Sequence, residues 1–284
     1  MGTYTCWADF SSTTTQDVLT SLFHPLHPKS HLDLVNLGLL GGQILLFFVL
    51  PRTVSRGLFL VYFAFWRLAY DIGLGWMLMK QSKQKWIVRE VQARGWLDQK
   101  RRPAVYNWIR NELKNKMGRD YSFDDLPVEY TTWLLFRQVV YIIFANQFLS
   151  YYLLAFARCH TPDSLSMTTY LRWLAGFALI AMGLWSKIER YHIVKDYGRY
   201  WGDIFFERGQ LVPDGTSDAS VVFKSLFETA LHPAYSVDPT EYYGLSLIAG
   251  SYALWFVGYW AQAMQYGFSM WFETPRGKVS YFPY

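Results

Sequence analysis

The apolar residues of this chain are gathered in long runs that alternate with polar blocks. A bilayer core about 30 Å thick needs roughly 17 to 25 apolar residues of helix to cross it, and five runs reach or approach that length. These runs cover residues 34–50, 58–79, 133–157, 170–185 and 243–272. The pattern therefore predicts an all-α fold, a polytopic membrane helical bundle.

The last run, residues 243–272, is longer than one perpendicular crossing requires. It is either a strongly tilted helix or a tight hairpin broken near Gly250 or Gly258, since glycine permits a sharp turn inside an apolar segment. We favour the hairpin, because a hairpin would return Glu273, which follows the run, to the side from which the run starts.

The charged residues lie mainly in two hydrophilic blocks outside these runs. Residues 80–132 contain twelve Lys or Arg against seven Asp or Glu, which by the positive-inside bias places this block in the cytosol. Apolar residues recur there at helical spacing among basic ones, on both sides of Pro103, so the block is predicted to form amphipathic cytosolic surface helices. A solvated helical loop and a surface that binds anionic lipids both explain this pattern.

These features divide the chain into four parts. We predict an amino-terminal tail at residues 1–30, a transmembrane hairpin at 31–80, the basic amphipathic helices at 81–132 and a membrane core at 133–284. The tail has neither a basic n-region nor an apolar h-region, so membrane entry is expected from the internal segments.

Composition agrees with a membrane protein and excludes other classes. The chain is 52% hydrophobic and 19% aromatic, and only 17% of its residues are charged, against about 25% in soluble domains. The net charge of +5 is explained by membrane orientation, and no nucleic-acid motif is present. Cys6 and Cys159 offer neither a disulfide framework nor metal-ligand spacing.

Two charged residues, Arg67 and Asp71, lie four apart inside the second apolar run. They share one helix face and can pair there, which reduces the cost of burying each charge. Ionisable residues within a membrane segment are candidates for function. The pair is therefore either structural or involved in binding the lipid headgroup or the substrate.

The second hydrophilic block contains Gly198 and Gly202 beside Asp203, in the stretch DYGRYWGDIFF. Small residues allow a ligand or another backbone to approach closely, and a neighbouring carboxylate can accept hydrogen bonds from a ribose diol. A glycine pair at this spacing also serves as a helix-packing device.

A third candidate is the stretch HPAYSVDPTEYY, residues 232–243, which precedes the last apolar run. Pro233 disfavours helical backbone at His232, so the imidazole is presented from an extended turn at the membrane surface. It is either a solvated interfacial histidine or a group that holds a carboxylate or transfers a proton. A hairpin over the last run would gather His232, Tyr235, Glu273 and Asp203 around one pocket at the cytosolic surface.

Several long segments together resemble a known family. They occur in a constant order: LPRTVSRGLFLVYFAFWRLAYDIGLGW, QSKQKWIVREVQARGWLD, MGRDYSFDDLPVEYTTWLLFRQ, VKDYGRYWGDIFF, HPAYSV and YYGLSLIAGSY. They look like the first methyltransferase region of the fungal class I phosphatidylethanolamine N-methyltransferases, from about residue 25 to residue 273.

The resemblance implies an S-adenosylmethionine-dependent enzyme of the endoplasmic reticulum membrane. It would transfer a methyl group to the amine of phosphatidylethanolamine, the first step of phosphatidylcholine synthesis by methylation. Residues 133–284 would be the methyltransferase-like membrane core with the cofactor-site loops. The implied cofactor-binding residues are Gly198, Gly202, Asp203, His232, Pro233, Tyr235 and Glu273, with His232 and Glu273 also catalytic. Independently of the resemblance, Arg67 and Asp71 are the candidates for binding the lipid substrate.

The chain also departs from the family pattern. Asp238, Pro239, Thr240 and Glu241 stand where the family has small residues, and the fungal enzymes are much longer. The alternatives are a catalytically degenerate membrane paralogue or fragment, or a sterol reductase or isoprenylcysteine carboxyl methyltransferase of similar fold. Asp203 and Glu273 favour a sulfonium donor over a phosphate-bearing cofactor.

Overall fold

A computed structural model describes residues 22–23, 25–26, 28–117, 128–160, 165–194, 205 and 239–268, without the side chains of 115–117 and 186–194. Within these ranges the chain is helical and contains no strand, which confirms the predicted all-α class. The helices are α1 (His31–Val49), α2 (Arg52–Leu68), a π-helical turn (Ala69–Leu74), α3 (Gly75–Gln84), α4 (Trp86–Ala93), α5 (Pro103–Met117), α6 (Val128–Arg158), α7 (Met167–Val194), α8 (Thr240–Ala249) and α9 (Tyr252–Phe268).

Four stretches of the described chain are long and apolar enough to cross a membrane. They are His31–Val49, Arg52–Gln84, Val128–Arg158 and Met167–Trp185. They correspond to the first four predicted runs, and their helices extend beyond the apolar residues because backbone hydrogen bonding continues into the polar flanks. The prediction of a polytopic membrane bundle is thereby confirmed.

The first helix has a sequence signal at each end, a capping box at its start and a proline just after its end. The Ser30 hydroxyl accepts a hydrogen bond from the Asp33 amide, and the Asp33 carboxylate accepts one from the Ser30 amide, which forms a capping box. At the other end Leu50 is extended, with ψ 145°, as expected for a residue before Pro51. α2 begins directly after this proline.

The terminal apolar run is a helical hairpin. Gly250 adopts the left-handed conformation, with φ +67°, and separates α8 from α9. The two helices run antiparallel, since the Tyr243 hydroxyl donates to Gln262 Oε1 at 2.5 Å and a Cβ at Gly258 would lie 3.1 Å from the Tyr242 Cβ. The predicted hairpin is confirmed, and its break is at Gly250.

Helices α7 and α8 pack with their backbones in close contact. A Cβ at Gly176 would lie 2.8 Å from the Gly244 carbonyl oxygen, and a Cβ at Gly244 would lie 2.5 Å from the Gly176 carbonyl oxygen. The Thr240 hydroxyl donates to the Leu179 carbonyl at 3.0 Å. Glycine therefore permits an approach that larger residues would prevent.

The apolar faces of the basic helices α4 and α5 pack against protein. Val88, Ile109 and Leu113 are 3%, 1% and 0% exposed and belong to one core cluster with Leu78 and Trp133. They are covered by protein because α3 and α6 together offer enough apolar surface at this end of the bundle.

Glu112 joins α5 to the start of α1. Its carboxylate is fully buried and accepts hydrogen bonds from the His31 amide at 2.7 Å and the Leu32 amide at 3.2 Å, while His31 Nδ1 lies 2.6 Å from Oε1. A carboxylate at this position satisfies amides that lack an intrahelical partner and complements the helix dipole. The contact places α5 on the side of the bundle where α1 begins.

Candidate functional site: a buried ion pair beside the terminal hairpin

Arg67 and Asp71 pair as their spacing predicts. Arg67 Nε lies 2.6 Å from Asp71 Oδ2, and the two side chains are 2% and 1% exposed. Arg67 is near the end of α2, and Asp71 lies within the π-helical turn. Such turns are rare and occur frequently at functional sites, because the extra residue redirects the side chains around it.

Arg67 also binds the second helix of the hairpin. Its Nη2 donates to the Ala261 carbonyl at 2.8 Å and to Gln265 Oε1 at 3.2 Å. The neighbouring Tyr70 ring stacks on Phe268, the last residue of α9, with centroids 6.2 Å apart. The ion pair is therefore fastened to the end of the hairpin from which the chain continues toward Glu273.

Asp71 has unused capacity to accept hydrogen bonds. Oδ2 is paired with Arg67 Nε at 2.6 Å, whereas Oδ1 receives no hydrogen bond from the residues that the structure describes. A buried carboxylate is costly unless its charge is paired and its oxygens are hydrogen-bonded. The arrangement thus suits a further donor, and above all a cationic one.

Asp71 lies toward one end of the second crossing. At 1.5 Å per residue, the helical path from Arg52 to Asp71 spans about 28 Å, close to the roughly 30 Å thickness of a bilayer core. The side that Asp71 approaches is the side of the basic helices α4 and α5, since α3 leads directly into α4. Asp71 is therefore enclosed by protein at that end of its crossing.

Deeper in the bundle, further polar side chains are buried and hydrogen-bonded to one another. Gln147 Nε2 donates to the Tyr242 hydroxyl at 3.2 Å, and the Tyr151 hydroxyl donates to the Tyr242 carbonyl at 3.0 Å. Gln43 Nε2 donates to Asn146 Oδ1 at 2.7 Å. Sequence reasoning missed these residues, although amides recurring inside apolar runs were the available signal.

The Asn146 side chain also bonds to a second residue of α1. Asn146 Nδ2 donates to Asn36 Oδ1 at 3.0 Å, so α1 and α6 are joined by two amide hydrogen bonds. Asn36 and Gln43 are seven residues apart and lie on the same face of α1. The bonds hold α1 and α6 in register.

The remaining predicted site residues lie outside the described part of the chain. They are Gly198, Gly202, Asp203, His232, Pro233, Tyr235 and Glu273. The described hairpin begins at Thr240, eight residues after His232, and ends at Phe268, five residues before Glu273. Because the hairpin is antiparallel, its two ends point in the same direction, as the predicted meeting of His232 and Glu273 requires. The meeting itself stays a prediction.

Comparison with known proteins now identifies the relatives of this chain. Residues 171–281 match the phospholipid methyltransferase family. The phosphatidylethanolamine N-methyltransferase of Laccaria bicolor is 60% identical over 275 residues, which are 96% of this chain and 29% of that protein. The resemblance to fungal phosphatidylethanolamine N-methyltransferases is confirmed.

Other fungal relatives with the same name are more distant. The protein of Penicillium rubens is 40% identical over 280 residues, which are 96% of this chain and 28% of that protein. The protein of Neurospora crassa is 38% identical over 279 residues, which are 95% of this chain and 28% of that protein. The chain therefore spans less than a third of the length of these relatives. None of the solved structures matches it.

The family match and the ion pair cover different parts of the chain. The matched residues 171–281 include α8, α9 and the positions predicted to bind the methyl donor. Arg67 and Asp71 lie before this range, yet inside the stretch aligned with the fungal relatives. The contacts from Arg67 to Ala261 and Gln265 join the two parts.

Proposed function

We propose that this chain transfers a methyl group from S-adenosylmethionine to the amine of phosphatidylethanolamine in the endoplasmic reticulum membrane. The observation that carries the proposal is the 60% identity to a phosphatidylethanolamine N-methyltransferase across nearly the whole chain. The product would be the monomethyl lipid, on the way to phosphatidylcholine. The family match favours this function over a sterol reductase or an isoprenylcysteine carboxyl methyltransferase.

For this reaction the protein has two main tasks: to position the lipid amine against the methyl donor and to remove one proton from the amine. When bound, S-adenosylmethionine supplies an electrophilic methyl group on a sulfonium. Holding the amine in line with that methyl can supply roughly 7 to 11 kcal/mol of the barrier reduction. The lipid amine is mostly protonated at neutral pH, so a base must first take its proton to free the nitrogen lone pair. His232 and Glu273 are the proposed bases.

The donor would be held by the segments that the resemblance identifies. Gly198 and Gly202 would allow close approach, Asp203 would accept hydrogen bonds from the ribose, and His232 would contact the donor's carboxylate. Pro233 and Tyr235 would shape the turn, and Glu273 would bind the donor or take the proton. All of these residues lie outside the described ranges, so these roles are proposals from residue chemistry.

Within the described residues, Asp71 suits the lipid amine. It is buried, it carries negative charge, and its Oδ1 lacks a hydrogen-bond donor among the described residues. An ammonium group would supply that donor as well as the opposite charge. Arg67 would orient Asp71 and fasten it to α9, which leads toward Glu273. Both residues are proposed to bind substrate in this sense.

A complementation assay tests the function. The chain is expressed in cells that cannot make phosphatidylcholine by methylation, and headgroups are measured by mass spectrometry. We expect monomethyl phosphatidylethanolamine to appear, and to be lost in Glu273→Gln. A membrane-inserted chain that forms no methylated lipid would overturn the proposal, and unchanged turnover in Glu273→Gln would remove this residue from the site.

The role of Asp71 is tested by separating structure from substrate binding. Asp71→Asn keeps the size of the side chain and removes its charge, so we expect the KM for phosphatidylethanolamine to rise at least about tenfold, equivalent to roughly 1.4 kcal/mol. This variant leaves the Arg67 charge unpaired and also lowers stability, but KM does not depend on how much of the chain is folded. Removing only Arg67, as Arg67→Met, would leave a buried unpaired carboxylate and destabilise the fold by about 3 to 5 kcal/mol.

The double variant Arg67→Met with Asp71→Leu is the matched control. Replacing a buried ion pair by apolar side chains is often neutral for stability. We expect the double variant to fold and to remain inactive. Recovery of activity together with stability would show that the pair is structural and does not bind the lipid.

A further inference from the structure

Two tryptophan rings at the end of the second crossing converge on one cation. Lys80 Nζ lies 4.3 Å from the centroid of the Trp76 ring and 5.4 Å from that of the Trp86 ring. The ring centroids are 5.5 Å apart, and the ring planes meet at 64°. The two rings thus form an open corner, and the ammonium group of Lys80 occupies it.

The corner is held by the backbone between α3 and α4. Lys85 adopts the left-handed conformation, with φ 52° and ψ 33°, which is uncommon for a residue other than glycine. The buried Gln81 side chain accepts hydrogen bonds from the Ile87 amide at 2.9 Å and the Val88 amide at 3.3 Å. These bonds cap the start of α4 and set the direction of the chain at Trp86, so that this ring lies against Trp76.

The corner lies where lipid headgroups can reach it. The path from Arg52 to Trp76 is about 36 Å at 1.5 Å per residue, just beyond a hydrocarbon core of roughly 30 Å. Trp76 is 43% exposed. The basic helices that follow place the corner on the side of the membrane predicted to be cytosolic.

Aromatic faces discriminate between cations. A quaternary ammonium spreads its charge over methyl groups and has no N–H to hydrate, so it leaves water more readily than a primary ammonium and packs against aromatic rings. Tryptophan also anchors membrane proteins at the interface. Anchoring does not require two ring faces around one cation. The structure, however, shows two tryptophan rings around the ammonium group of Lys80.

We propose that Trp76 and Trp86 bind the trimethylammonium headgroup of phosphatidylcholine, and that Lys80 occupies the site until the headgroup displaces it. The site is separate from the Arg67 and Asp71 pair, and its existence does not depend on the proposed catalytic function. Together with that function, it would allow the chain to bind the fully methylated lipid beside the site where methylation begins.

Native mass spectrometry of the full chain tests this site. The chain is purified in a neutral detergent and mixed with equal amounts of phosphatidylcholine and phosphatidylethanolamine that have the same acyl chains. We expect the unaltered chain to bind more phosphatidylcholine. In Trp76→Leu and Trp86→Leu the ratio of bound phosphatidylcholine to phosphatidylethanolamine should fall toward one.

Lys80→Met provides a variant that keeps both rings. Because the internal cation is removed, the ratio should rise, by about threefold or more. The matched controls are Trp108→Leu, which removes a surface tryptophan that is 39% exposed on α5, and Lys83→Met, which removes an exposed lysine of α3. Both controls should leave the ratio unchanged.

Three results would overturn the proposal. The first is that the unaltered chain and both tryptophan variants have the same ratio of bound phosphatidylcholine to phosphatidylethanolamine, which would leave the rings as interfacial anchors. The second is a ratio that falls in Lys80→Met. The third is displacement of the lipid by S-adenosylmethionine in the unaltered chain but not in the tryptophan variants, which would assign the corner to a sulfonium instead. Helical circular dichroism of each variant confirms its fold, and Lys80→Met decides the question if a tryptophan variant unfolds.

Discussion

Individual polar side chains in this bundle stabilise contacts that apolar packing alone would leave undefined. Glu112 is the clearest case, because one carboxylate satisfies two amides at the start of α1 from a helix that lies about eighty residues further along the chain. Hydrogen bonds to a charged group contribute about 1.5 to 3 kcal/mol, more than neutral ones. Asn146 has a related role between α1 and α6, with neutral amides.

At this scale we predict that Glu112→Gln destabilises the chain by about 1.5 to 3 kcal/mol. The amide keeps one oxygen but presents an NH2 group to backbone N–H donors, so one bond is lost and a repulsive contact replaces it. Thermal unfolding in detergent measures the change. Glu90→Gln is the control, since Glu90 pairs with Arg94 at the surface and surface pairs contribute little. Equal melting temperatures for the two variants would contradict the capping role.

At the scale of helices, two glycines decide how the methyltransferase-like half is assembled. Gly176 and Gly244 bring the backbones of α7 and α8 together, and α8 then positions α9 through the turn at Gly250. α9 in turn receives the hydrogen bonds of Arg67. The contacts therefore form a series from α7 through the hairpin to the ion pair. A change in the packing of α7 against α8 would displace α9 and its hydrogen bonds with Arg67.

We therefore predict that Gly244→Leu lowers both stability and the proposed lipid methylation. A Cβ at this position would lie 2.5 Å from the Gly176 carbonyl oxygen, and overpacking typically costs about 1 to 3 kcal/mol. Gly41→Leu is the control, because nothing lies within 4 Å of a Cβ built there. The melting temperature and the yield of methylated lipid are compared. A fully active and stable Gly244→Leu would show that α7 and α8 do not need this contact.

At the scale of the whole molecule, the contacts define two sides. The start of α1 and the helix α5 are joined by Glu112, so they share one side. The His160 amide donates to the Ala249 carbonyl at 3.0 Å, which places the end of α6 beside the hairpin turn on the other side. The positive-inside bias predicts that the first side is cytosolic.

Cysteine labelling from each side of the membrane checks this topology. In a chain whose Cys6 and Cys159 are replaced by Ser, Lys100→Cys should react with an impermeant reagent applied from the cytosol. Tyr252→Cys, at an 85% exposed position next to the hairpin turn, should react from the opposite side. Labelling of both positions from one side would refute the arrangement, and the cysteine-free chain supplies the background.

Much of this fold follows from local sequence. The apolar runs predict four of the crossings, because a bilayer requires an uninterrupted helix of a certain length whose backbone groups are hydrogen-bonded internally. The pairing of Arg67 with Asp71 follows from their spacing of four. The length of the last run and the predicted return of Glu273 favour the hairpin. By sequence, Gly250 and Gly258 are equally acceptable breaks, and the structure has the break at Gly250, where α8 packs against α7 and α9.

The sequence by itself determined which segments are long and apolar enough to cross a membrane and which family the chain resembles, and it predicts the side of the basic helices, since hydropathy, charge and motif order are local properties. Only the tertiary structure decided that Glu112 caps α1, that Arg67 binds α9 and that Trp76 and Trp86 enclose Lys80. Each of these contacts joins different helices. Their geometry depends on how the helices pack, a property that no single segment encodes.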